Sequence, residues 1–193
     1  MSKIESVVKE AENLFLEEYK QTGMPTKDAF YIALKKGIEL ADRLGADKTI
    51  VQVGIFLMDL KLGQAWKEKR GKEHAQMSVD AARKFLNKFD VSDDFKKKVL
   101  NCIEAHHHAV PYKCLEAEIC SNADNFQFLN PRGFLFIFAM FIELGRSFDE
   151  CIKILDSKIE EKYQKTSLDI CKKEAEEYYQ LLKKLINSAQ KGT

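Results

Sequence analysis

The stretch from Ile103 to Phe126 reads IEAHHHAVPYKCLEAEICSNADNF, and three of the chain's four histidines stand side by side in it, at His106, His107 and His108. Two helices are legible here, one starting at the Ser92 cap and ending near His107, the other spanning about Leu115 to Leu129, with Pro111 in the turn between them. In the second, Asp124 sits in an apolar helical context, where an unpaired carboxylate is costly to desolvate. Outward from this stretch, His74 opens another amphipathic segment, and Asp59 closes an almost wholly apolar run that begins at Thr49. Chemistry-bearing residues are thus spread over four helices, and the question is whether the fold brings them together.

The remainder of the chain reads as helices as well. Ser2 and Glu5 fit a capping box for a helix to about Tyr19, which Gly23 and Pro25 break. Thr26 caps a second helix, with apolar positions at Phe30, Ala33, Leu34, Ile38 and Ala41 before Gly45 stops it. Asp47 caps a third, apolar nearly all round, as a central buried helix should be. Lys61 to Glu73, KLGQAWKEKRGKE, loses periodicity and is expected to be a surface loop. A helix follows from about His74 to Phe89. Pro131 suits the first turn of an apolar helix reaching Leu144, and Ser147 to Glu150 is a second capping box for a helix to about Tyr163. Thr166 or Ser167 starts a last helix through Leu185, and Asn187 to Thr193 is expected to fray. Nothing alternates as a strand should, so the fold class is all-α, a single domain over 1–193 of about eight or nine helices.

Composition excludes several classes of function. With 31 basic and 30 acidic residues the net charge is +1, which offers no strong nucleic-acid signal. The apolar runs, Thr49 to Leu60 and Gly133 to Leu144, fall short of the roughly 20 residues a bilayer span needs, so no membrane partner is expected. Five cysteines without a CxxC pair imply neither a disulfide framework nor a zinc ribbon, and the start MSKIESVVKEAENLF lacks the apolar core of a signal peptide. A reducing, cytoplasmic location is the expectation. The aromatic-rich segment from Phe134 to Phe141 can serve a homodimer as readily as a core.

Order and local phrasing then narrow the choice. FLMDL ends an apolar helix in Asp59, HAQMS opens a helix at His74, IEAHH carries a His-His pair and SNADNF carries Asp124. This series resembles the HD-domain superfamily of metal-dependent phosphohydrolases over roughly 28–129, with 131–188 as a helical extension. Two departures stand out: Met58 occupies the place of the His in the family's His-Asp pair, and Ala29 lies where an earlier histidine is expected. Neither offers a good ligand atom. The resemblance to the dinuclear branch nevertheless implies a metal position held by Asp59, His74, His106 and His107, with Asp124 reaching it through water or orienting a ligand histidine.

What the resemblance implies is a divalent cofactor (Fe, Mn, Ni or Zn, one per chain) and hydrolysis of a small phosphorylated substrate or nucleotide through an activated water. Asp124 would orient or deprotonate that water, and Lys61 would hold the phosphate. The alternative is a catalytically degenerate HD domain that binds a nucleotide or partner. Plainer readings exist for each residue. Three histidines at a helix end can be a solvated last turn, Asp59 can pair with Lys61, Asp124 with Lys113, and Met58 can be a core residue. His108, which has no counterpart in the family, is expected to be exposed. The basic cluster Lys67, Lys69, Arg70 and Lys72 is either a solvated face or an attractor for phosphate.

Overall fold

Helix starts and stops are written in short polar signatures, and the computed structural model, which describes residues 3–191, realises most of them. Helix α1 (Lys3–Thr22) precedes α2 (Lys27–Leu44), whose start is fixed by the Thr26 hydroxyl accepting from the Ala29 amide and whose end is Gly45 at φ +70°. The Asp47 carboxylate accepts from the amides of Thr49 and Ile50 and so starts α3 (Lys48–Met58). After α4 (Leu62–Lys67) and a 3₁₀ turn (Gly71–Glu73) come α5 (His74–Leu86), α6 (Asp93–Ala105) and α7 (Leu115–Leu129). Asn130 caps α8 (Pro131–Glu143), the Ser147 and Glu150 capping box opens α9 (Phe148–Gln164), and α10 (Asp169–Lys191) completes the series. The described residues hold no strand. The Ser2 half of the first capping box falls outside them.

The apolar helix α3 is central, flanked by α1, α2, α5, α6 and α7. Close approach on two sides depends on missing side chains. A Cβ at Gly37 would collide with Ile55 where α2 meets α3, and one at Gly54 would meet Cys102 and Cys120 where α3 meets α6 and α7. Helix α7 is buried along nearly its whole length, between α2 on one side and α9 and α10 on the other. One continuous core therefore runs from Val7 to Ile186, with Phe15, Phe30 and Phe126 among its largest members, each contributing roughly 1.5–3 kcal/mol by burial. No helix of the described residues is long and apolar enough to cross a membrane. All five cysteines are unpaired.

Three expectations need correction. Residues 61–73 are not a loop: Ala65 is wholly buried and Gly63 abuts the Thr22 side chain, so the backbone closes α4 and then the 3₁₀ turn. This brings the number of α-helices among the described residues to ten. Nor does the chain fray from Asn187, because Ile186 is buried and Ala189 packs against the core, which carries α10 to Lys191. Gly192 and Thr193 lie outside the described residues. Thr166 and Ser167 do not start the last helix: the Ser167 amide donates to the Asn122 side chain at 3.0 Å, tying the α9–α10 connection to α7.

Candidate metal centre

Each member of the histidine and aspartate set is delivered by a helix end, where the backbone is free to turn. Asp59 caps the C-terminus of α3 and is 8% exposed. His74 begins α5, and its Nδ1 donates to the Gly71 carbonyl at 2.6 Å. His106 caps the C-terminus of α6 and donates from Nδ1 to the Ile103 carbonyl, also at 2.6 Å. A carbonyl oxygen only accepts, so both rings carry a proton on Nδ1 and point Nε2 inward, the atom that can ligate when the ring is neutral. On a continuing helix His106 and His107 would diverge by about 100°. Here α6 has already ended, His108 adopts φ +62°, and the two imidazole centroids are 3.8 Å apart.

The result is a set, Asp59 and His106 buried and His74 and His107 half-buried, in which one ligand-type atom from each lies within 4.8 Å of all the others. His74 Nε2 is 2.9 Å from His107 Nε2 and 3.3 Å from Asp59 Oδ1, while His106 Nε2 is 3.5 Å from the same oxygen. Asp59 Oδ1 and His106 Nε2 are buried with no hydrogen-bond partner. Burial works against the charge on Asp59, but His106 and His74 outweigh it and hold the carboxyl well below its usual range. For His74 burial is likewise outweighed, by Asp59, and its pKa is raised. Burial and then the neighbouring His106 push His107 down to about 3, leaving it neutral, which is the form that ligates a metal. Lone pairs and a carboxylate oxygen converging out of water, two of them orphaned, fit a divalent cation with nitrogen and oxygen ligands.

The other expected residues have partners of their own. Asp124 is not one of the four: one carboxylate oxygen pairs with Lys162 of α9 and the other accepts from Gln127 at 2.8 Å. The hydrogen bonds that fix His74 and His106 go to backbone carbonyls and not to Asp124. Burial opposes its charge and Lys162 restores it, so its pKa is lowered. The partner weighed from sequence was Lys113; the observed one is 38 residues downstream. Lys61 turns away from the cluster, its ammonium paired with Glu18 of α1, and it lines a separate hollow. Arg70 is exposed and held by Glu68 and Glu73. Met58 is wholly buried core. His108 is exposed and meets the Tyr112 hydroxyl at 3.0 Å.

Three supporting groups had escaped sequence reasoning. The Ser78 hydroxyl, last residue of HAQMS, accepts from the Lys61 amide at 3.0 Å and pins the turn after Asp59 to α5. Ser121 donates to the His106 carbonyl at 3.0 Å, tying the histidine turn to α7. Lys162 falls on the buried face of α9 after Ile152, Leu155 and Ile159, at helical spacing, and that pattern is the signal by which a buried lysine could have been found. A cavity of about 270 Å³ opens beside the cluster, with Asp59, His74, His107 and Asp124 on its lining.

No family model matches the chain. Two crystal structures share its fold at a TM-score of 0.69. A predicted HD superfamily hydrolase from an uncultured Thermotogales bacterium is 16% identical, the match covering 95% of this chain and 91% of that one. The Lin1889 protein from Listeria innocua is 14% identical, with 98% and 96% covered. In sequence, Ribonuclease Y of Finegoldia magna is 34% identical over 85 residues, which are 44% of this chain and only 15% of that protein. The chain therefore shares the all-α fold of that predicted HD superfamily hydrolase, the fold that the phrases FLMDL, HAQMS, IEAHH and SNADNF led one to expect.

Proposed function

We propose that this HD-type fold serves a metal-dependent phosphohydrolase in which Asp59, His74, His106 and His107 hold one divalent cation. The observation that carries the reading is the orphaned pair, Asp59 Oδ1 and His106 Nε2, buried among two further imidazoles within 4.8 Å. A cation held there would supply Lewis acidity toward a phosphoryl oxygen and a water acidified toward neutral pH. The chain's own contributions are local. Gly71 and Ile103 fix the tautomers of His74 and His106 through their carbonyls, and Ser78 and Ser121 lock the two turns that present the ligands. Asp124, kept ionised by Lys162 and lining the same cavity, is assigned to accept the proton of the attacking water. Lys61 is given no role, because Glu18 holds it elsewhere.

A second reading has its own observation. Ala29, on the cavity lining, and the buried Met58 offer no hard ligand atom, and both oxygens of Asp124 are already engaged. A domain that binds a phosphorylated ligand or a partner without hydrolysing it would carry these features equally well. The five unpaired cysteines suit a reducing compartment in either case.

Elemental analysis of untagged protein, beside His74→Ala and His107→Ala, tests the metal. About one Fe, Mn, Ni or Zn per chain, absent from both variants, is expected. A phosphatase and phosphodiesterase screen with that metal follows, the diesters included because of the match to Ribonuclease Y. Metal without turnover would favour the binding module, and no metal even after reloading would refute the assignment of the four ligands.

A further inference from the structure

The cavity beside the four ligands is lined mostly by apolar groups. Besides Asp59, His74, His107 and Asp124 its wall includes Leu62 and Trp66 of α4, Phe128 of α7, and Ile137, Met140 and Phe141 of α8. The few polar groups among these walls are partly engaged. Thr26 caps α2 by accepting from the Ala29 amide, Gln127 donates one amide proton to Asp124, and the Gly71 carbonyl accepts from His74. Lys158 faces Glu161 at 2.8 Å. A ribose or a nucleobase entering here would find few partners for its hydroxyls and ring nitrogens, and each group left unpaired would weaken binding by roughly an order of magnitude.

Size points the same way. An apolar cavity of roughly 150 Å³ accepts one benzene ring, so the observed volume of about 270 Å³ suits a two-ring aromatic or a medium-length alkyl group. Two of the nearby basic side chains are already engaged: Lys67 donates to the Gln21 carbonyl at 2.6 Å and Arg70 is taken up by Glu68 and Glu73.

We infer that the substrate class of this site is a phosphate monoester of a compact apolar alcohol, in preference to a nucleotide or an RNA strand. The inference rests on the phosphohydrolase reading above. Hydrolysis then adds water across the ester: the water oxygen bonds to phosphorus, the phosphorus–alkoxide bond breaks, and the alcohol leaves with a proton, its apolar body against α4 and α8.

The test uses the full chain loaded with the metal found by elemental analysis. Turnover is compared for methyl, butyl, octyl and 1-naphthyl phosphate, glycerol phosphate, adenosine monophosphate and a short RNA. Binding of methylphosphonate and octylphosphonate, which are not hydrolysed, is measured by calorimetry in parallel. The expected result is a rise in kcat/KM of roughly threefold per methylene along the alkyl series, a parallel rise in phosphonate affinity, and a flattening of both slopes in Met140→Gln and in Trp66→Ser. Turnover of glycerol phosphate, adenosine monophosphate or RNA as fast as octyl phosphate would overturn the inference and leave the phosphohydrolase reading standing. Chain-length-dependent phosphonate binding without turnover of any ester would keep the apolar site and refute hydrolysis. Binding and turnover both indifferent to chain length would refute the apolar site outright.

Discussion

Replacing Lys162 with methionine should show that the buried pair with Asp124 organises the floor of the cavity. Both residues are 2% exposed. Removing one partner of such a pair leaves a charge uncompensated in the interior, which costs about 3–5 kcal/mol. The hydrogen bond from Gln127 to Asp124 at 2.8 Å remains, so the lower end, about 3 kcal/mol, is expected for Lys162→Met. For a chain of this size that lowers Tm by roughly 6–12 °C. Asp124→Asn alone strands the Lys162 ammonium and should cost a similar amount, whereas the double variant leaves no buried charge and should cost less than either single change. Urea unfolding of the four proteins measures this cycle. Single variants within about 1 kcal/mol of wild type, or strict additivity in the double, would refute the claim that Asp124 owes its charge to Lys162.

Other outcomes follow from the same geometry. Glu161 has its pKa lowered to about 2, burial opposing its charge and Lys158 and Lys165 prevailing. Its folded pKa lies below the unfolded value of about 4.3, so its stabilisation is complete above that pH and is lost as pH falls toward the folded value. Glu161→Gln should flatten the decline of Tm over that acid interval, and parallel profiles would refute the ion pairing. Gly54→Ala places a Cβ 2.7 Å from that of Cys102 and 3.1 Å from Cys120 Sγ, and chemical denaturation should show a loss of about 1–3 kcal/mol. Adding the bound metal at a hundred times its Kd should stabilise the chain by about 2.7 kcal/mol in a thermal-shift measurement, and His107→Ala should abolish the shift. An unchanged shift in that variant would remove His107 from the ligand set.

Helix existence was legible wherever the deciding contacts are local. Thr26, Asp47, Ser92 and Ser147 each cap within three residues of themselves, and the expected boundaries of α7 are met at Leu115 and Leu129. The exceptions are instructive. The α4 segment carries two buried positions in six residues, too short a run for periodicity to register, and its burial depends on Thr22 of α1. The extension of α10 depends on Ile186 meeting the core, which no pattern in 187–191 announces.

For the site, the resemblance of FLMDL, HAQMS and IEAHH to the HD-domain superfamily marked Asp59, His74, His106 and His107 as a set. Residue chemistry alone marked them only as side chains able to serve as ligands. The sequence by itself determined most of the helices, the central place of α3 and the inventory of possible ligands, all of which arise from interactions between near neighbours or from the chemistry of single residues. Only the tertiary structure decided which groups meet. It set Lys162 against Asp124 across 38 residues, gave Lys61 to Glu18, and walled one side of the cavity with α4 and α8. Such pairings are decided by how whole helices pack, and packing depends on the summed fit of many distant side chains at once.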